Sequence, residues 1–149
     1  MNTETRGGDA QLIVRVALGT LAASSALIGA VAAFVPRDFY TSFPVGLSWV
    51  DKLPPYNQHL VTDVGGFSLA FAVLFTWAAI TLARPLIVPL AVAWILAQVL
   101  HLGYHLLHLD GFSAADAVAQ TVGFAALIAL PVLVLALPTG MRQVPQKVW

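Results

Sequence analysis

Four stretches of the chain, residues 12–35, 64–83, 86–109 and 114–137, carry only two ionised side chains between them, Arg15 and Asp116. Each is about 20 residues or slightly more, the length that takes a helix across roughly 30 Å of hydrocarbon. In that medium every backbone N–H and C=O must find a partner inside the protein, which leaves helices and closed barrels. Barrel strands need about ten residues and alternate polar with apolar side chains. No such alternation is present. The expected fold is all-α: a transmembrane four-helix bundle in a single membrane domain over residues 1–149, with helices near 12–35, 59–83, 86–109 and 114–137.

Composition excludes several alternatives. The chain is 59% hydrophobic and 9% charged, where a soluble domain spends about a quarter of its residues on charge. Seven Lys and Arg balance seven Asp and Glu, so there is neither a basic face for nucleic acid nor an acidic tail. With no Cys, disulfides, thiolate metal sites and cysteine nucleophiles are absent together. No P-loop, dinucleotide fingerprint, nucleophile elbow or Ser-His-Asp arrangement occurs, so nucleophilic catalysis has no support.

The punctuation between the runs is uneven. Ala30-Val31-Ala32 resembles a signal-peptide cleavage site, but the apolar stretch is too long and Glu4, Arg6 and Asp9 give it no positive leader. The first run is therefore expected to remain as a helix, ended by Pro36. Gly19, Ala22, Ala26, Gly29 and Ala33 recur along it at near-helical spacing, which suits close helix packing. Arg84-Pro85 and Asp110-Gly111 mark tight turns. The long loop, residues 36–58, concentrates Phe39, Tyr40, Phe43, Trp49 and Tyr56 among prolines, the composition of an interfacial segment or a lid over one end of the bundle.

Basic residues set the expected orientation. Arg6, Arg15, Arg84, Arg142 and Lys147 fall on one side, and Arg37 and Lys52 on the other. The positive-inside rule then places both termini in the cytoplasm, for a multi-pass protein of the plasma (inner) membrane. The arginines themselves are expected to meet lipid headgroups.

The polar residues gather toward the end bearing the long loop. Gln98, His101, His105 and His108 are spaced three, four and three, an a/d seam on one face of the third helix. His59 and Asp63 on the second helix, and Asp116 and Gln120 on the fourth, are i, i+4 pairs and share a face. Ionisable groups inside a bilayer cost about 2.5–3.5 kcal/mol even on a lenient scale, so they face the interior and find partners. Three helices are thus expected to present polar pairs to one pocket.

That pocket has three candidate uses. His101 and His105 have the bite of a two-His chelate, which His59, Asp63 or Asp116 would complete as a site for Zn, Cu(II) or haem. His108 is a further candidate ligand, but it stands roughly 10.5 Å from His101 along the axis, so one ion does not take all three third-helix histidines. Cu(I) is disfavoured by the lack of Cys, and a carboxylate di-iron site by the single Glu. The same residues also suit a purely structural seam of interhelical hydrogen bonds, each worth about 0.6 kcal/mol. A small-solute or proton path is the third use, although the polar set stops at mid-membrane. Three residues have local explanations. Asp116 follows Ser113 at capping-box spacing, His108 sits at a negative helix end, and His59 lies near the interface.

The segment Asn57-Gln58-His59-Leu60-Val61-Thr62-Asp63-Val64-Gly65-Gly66, together with HLGYHLLHLDGFSAADAVAQ over 101–120, resembles a group of small bacterial four-helix membrane proteins that are DoxX-like in size and topology. The resemblance implies an accessory role beside a larger respiratory or redox membrane complex, and no site residue comes with it. The residues point first to His101, His105 and Asp63, then to His59, with Asp116, His108 and Gln120 behind.

Overall fold

The structure, a computed structural model, describes residues 3–53 and 55–137, with helical side chains from residue 7. Arg142 and Lys147, and the side chains of Glu4 and Arg6, lie outside the described residues. Five helices follow in order: α1 (Thr3–Phe34), α2 (Pro36–Ser42), α3 (Gln58–Thr81), α4 (Arg84–Leu107) and α5 (Ala114–Ala136). Four are long and apolar enough to cross a membrane: α1 from Gly7, α3, α4 and α5. The chain is an all-α bundle of an integral membrane protein.

Two departures from the expected boundaries have local causes. No proline interrupts residues 3–34, so α1 continues past its apolar run to 32 residues, about 48 Å at ~1.5 Å per residue. Residues 36–58 are not all loop. Pro36 ends α1 and also starts α2, where its fixed φ suits the first helical position and Asp38 meets the positive helix end.

Caps account for the remaining ends. Asn57 Oδ1 accepts the Leu60 N–H at 3.2 Å, and Ser113 Oγ accepts the Asp116 N–H at 3.1 Å. The α3 C-terminus closes on Leu82 in the left-handed region, φ 49°. Arg15 corrects its expected role. From α1 its guanidinium Nη1 donates to the Ala79 carbonyl at 2.5 Å and to Ile80 at 3.0 Å. It stabilises the carbonyl-rich end of a neighbouring helix rather than only a headgroup.

Inside a bilayer, helices gain little from hiding apolar surface from lipid, so close van der Waals packing decides which faces meet. The α1–α3 pair meets through small residues. A Cβ at Gly65 would stand 2.7 Å from Ala33 Cα, and one at Gly29 would stand 2.8 Å from Leu69 N. Gly19, expected in the same stripe, faces open space and takes no part. Beyond this pair, α1 packs on α5, α5 on α4, and α4 closes the ring against α3. At that closure Trp94 meets Phe71 and Phe75 edge-on, with ring centroids 5.1 Å apart in each case.

The bundle is divided along its length. We call the end with the α3–α4 turn the terminal end, and the end with α2 and the α4–α5 turn the loop end. The apolar core cluster runs through Val14 to Ala22, Phe75 to Leu82, Ile87 to Trp94, and Val134, all toward the terminal end. Thr20, Thr76 and Thr81 there each donate to a carbonyl four residues back in their own helix, so their hydroxyl protons are taken up locally. The buried polar side chains Ser25, Gln98, His105 and Gln120 all lie toward the loop end.

Candidate functional site

The buried positions of α4 form one stripe: Ile87, Leu90, Ala91, Trp94, Gln98 and His105. His101 continues that stripe by spacing, yet its side chain is exposed. The bundle covers Gln98 and His105 on either side of it and leaves His101 uncovered.

His101 and His105 meet on this stripe. Their Nε2 atoms are 3.1 Å apart, as i, i+4 spacing on one helix permits. Both rings lie against Phe124 of α5, at 4.6 and 4.7 Å between centroids. On its other side, His105 Nδ1 stands 2.6 Å from Gln120 Oε1. An amide oxygen only accepts, so Nδ1 carries the proton and donates, and the His105 Nε2 lone pair is left facing His101. Gln120 thereby fixes both the tautomer and the ring orientation of His105.

The other expected ligands do not join this pair. His59 Nε2 and Asp63 Oδ2 are 3.5 Å apart in a pairing of their own, with side chains 84% and 46% exposed. Gly65 has to face α1, and Asp63, two residues earlier, is about 200° away around the helix. His108 Nδ1 donates to the Tyr104 carbonyl at 2.8 Å and its ring stacks on Tyr104 at 4.0 Å, which occupies it at the α4 C-terminus. Asp116 accepts from Ser113 Oγ at 2.8 Å and from Trp49 Nε1 at 2.9 Å, with Lys52 Nζ at 3.7 Å. The expectation of one pocket fed by three helices is thereby corrected. Among the described residues no group of three or more His, Asp or Glu side chains is placed to hold one ion. A haem held by two histidines needs them on opposite faces, and adjacent Nε2 atoms on one helix do not supply that.

The long segment between α2 and α3 is built rather than free. Ser48 Oγ donates to the Thr41 carbonyl at 2.6 Å, and Phe39 stacks on Phe43 at 4.7 Å. Arg37 lies 5.1 Å over the Tyr56 ring. The segment then crosses to the α4–α5 hairpin, where Trp49 and Lys52 hold Asp116, and Lys52 lies 5.2 Å over Phe112. Beside that strap is a cavity of about 290 Å³ lined by Lys52, Leu53, Tyr104, His108 and Asp110. Sequence reasoning missed Trp49 and Lys52 as partners of Asp116, and Phe124 as the wall of the histidine pair. Phe124 is eight residues after Asp116 in the α5 face that also holds Gln120, which was the available signal.

No protein family, curated protein or solved structure matches the chain.

Proposed function

We propose that this membrane protein binds a divalent transition-metal ion, Zn or Cu(II), through His101 and His105 at the loop end of its bundle. The observation that carries the reading is the pair of Nε2 atoms 3.1 Å apart with the His105 tautomer set by Gln120. Two imidazoles bound to one tetrahedral ion at about 2.0–2.1 Å hold their nitrogens roughly 3.3 Å apart. A neutral imidazole whose far N–H is donated to an oxygen is the usual form of a metal-ligating histidine. Imidazole donors suit zinc and Cu(II). With two protein ligands, the remaining coordination positions go to water or a small exogenous ligand entering from the loop end.

The wider setting belongs to the same proposal. Basic residues favour cytoplasmic termini in a plasma membrane, which makes the loop end extracytoplasmic. The DoxX-like layout favours an accessory place beside a larger membrane complex, in a redox or respiratory context. A second reading has an observation of its own, since 3.1 Å between Nε2 atoms is also a hydrogen-bond distance. There His101 donates to His105 and the seam is structural or handles a proton.

Metal analysis of detergent-purified protein separates the two. The metal reading expects near-stoichiometric zinc or copper after incubation with the ion, lost in His101→Ala/His105→Ala. A wild type that retains no more metal than that variant leaves the hydrogen-bonded pair as the account.

A further inference from the structure

We propose that the loop-end half of the bundle holds a blind, water-filled site beneath the histidine pair, bounded by Gln120, Gln98 and Ser25. This goes beyond the metal reading and rests on different atoms. Three buried side-chain atoms have no hydrogen-bond partner within the described residues: Gln120 Nε2, Gln98 Oε1 and Ser25 Oγ. Their residues are only 2%, 9% and 1% exposed. An unmet buried polar atom costs about 1–3 kcal/mol. A bilayer offers it no outside partner.

All three stand at similar depth. Gln98 and Ser25 are each nine residues from the loop-end terminus of their helices, Leu107 and Phe34, about 13 Å at ~1.5 Å per residue. Gln120 is six residues into α5, about 9 Å on the same scale. The α4–α5 register agrees, since His105 meets Gln120, His101 meets Phe124 and Trp94 meets Leu127. Gln98 therefore falls between the Phe124 and Leu127 levels. Ser25 continues the buried α1 face of Leu18 and Leu21.

The chemistry of the three atoms selects the occupant. Gln120 Nε2 only donates, Gln98 Oε1 only accepts, and Ser25 Oγ does either. None is charged, and two oxygens and one amide do not repay the dehydration of an ion. The fitting ligand is neutral, small, and both donor and acceptor. Water meets those terms, and buried water commonly makes about three bonds to such groups. Toward the terminal end the site is stopped by Trp94 against Phe71 and Phe75.

Water-edited solid-state NMR of protein with ¹⁵N-labelled glutamine and tryptophan side chains, in lipid bilayers with chelator present, tests this without reference to metal. Polarisation is expected to pass from water to the Gln98 and Gln120 side-chain amides several-fold faster than to the buried Trp94 indole N–H. In Gln98→Leu, transfer to Gln120 is expected to fall at least twofold, because the two share water. Amides no faster than the Trp94 indole in wild type would overturn the proposal. So would a Gln120 signal indifferent to Gln98→Leu.

Discussion

Pro131 has no N–H to give the Leu127 carbonyl four residues earlier in α5. Trp94 of α4 supplies the missing donor, its indole Nε1 lying 3.1 Å from that oxygen. A helix defect on one element and a tryptophan on another are thus one feature. Trp94→Phe is expected to destabilise the protein by about 1–3 kcal/mol through the orphaned carbonyl, in addition to the packing lost with the smaller ring. In a Pro131→Ala background, where the backbone N–H gained at that position serves the carbonyl, the same change is expected to cost less by at least about 1 kcal/mol, the packing loss being common to both. A double-mutant cycle in detergent unfolding measures the difference, and equal costs in both backgrounds would contradict the pairing. Some side chains are legible from sequence alone. Ser113 and Asp116 are a cap, and His108 serves the α4 C-terminus, because both depend on contacts within a few residues. The roles of Trp49 and Lys52 are not legible there, because they reach Asp116 across more than sixty residues through a loop without a repeating pattern.

Helices in this protein meet where a side chain is missing. The α1–α3 contact leaves no room for a Cβ at Gly65 beside Ala33, nor at Gly29 beside Leu69, whereas Gly19 has open space. Gly65→Ala is expected to destabilise by about 1–3 kcal/mol through overpacking. Gly19→Ala is expected to be neutral or to stabilise by up to about 1 kcal/mol, since Gly costs that much in a helix interior. Equal effects of the two in an unfolding titration would contradict the packing. Periodicity makes the faces of each helix readable, and the four spans lie within a few residues of their expected limits, the polar extension of α1 aside. It carries no information on how one helix is rotated against the next. That is why spacing names His105 and Gln120, from different helices, as candidates but not as partners. For the same reason, spacing alone sends His59 and Asp63 to a pocket from which the Gly65 contact turns Asp63 away.

Taken whole, the molecule is a bundle sealed by apolar packing at one end and polar at the other. The seal is the Phe71, Phe75 and Trp94 cluster, and the polar half carries His101, His105, Gln120, Gln98 and Ser25 beneath a strapped loop. The proposed extracytoplasmic placing of this polar half rests on the charge bias between the two ends. The chain has no Cys, so Leu47→Cys, in the exposed tip of the long loop, gives a single label site. Labelling of intact cells by an impermeant maleimide is expected; labelling only after permeabilisation would reverse the orientation.

The metal reading of the histidine pair requires that His101 and His105 act together on one ion. Electron paramagnetic resonance of the purified protein with one equivalent of Cu(II) reads this out, because nitrogen hyperfine structure counts the imidazoles bound. A signal from two imidazole nitrogens is expected in the wild type, from one in His105→Ala, and from none in the double variant. A wild-type spectrum indistinguishable from that of the double variant would contradict the shared site.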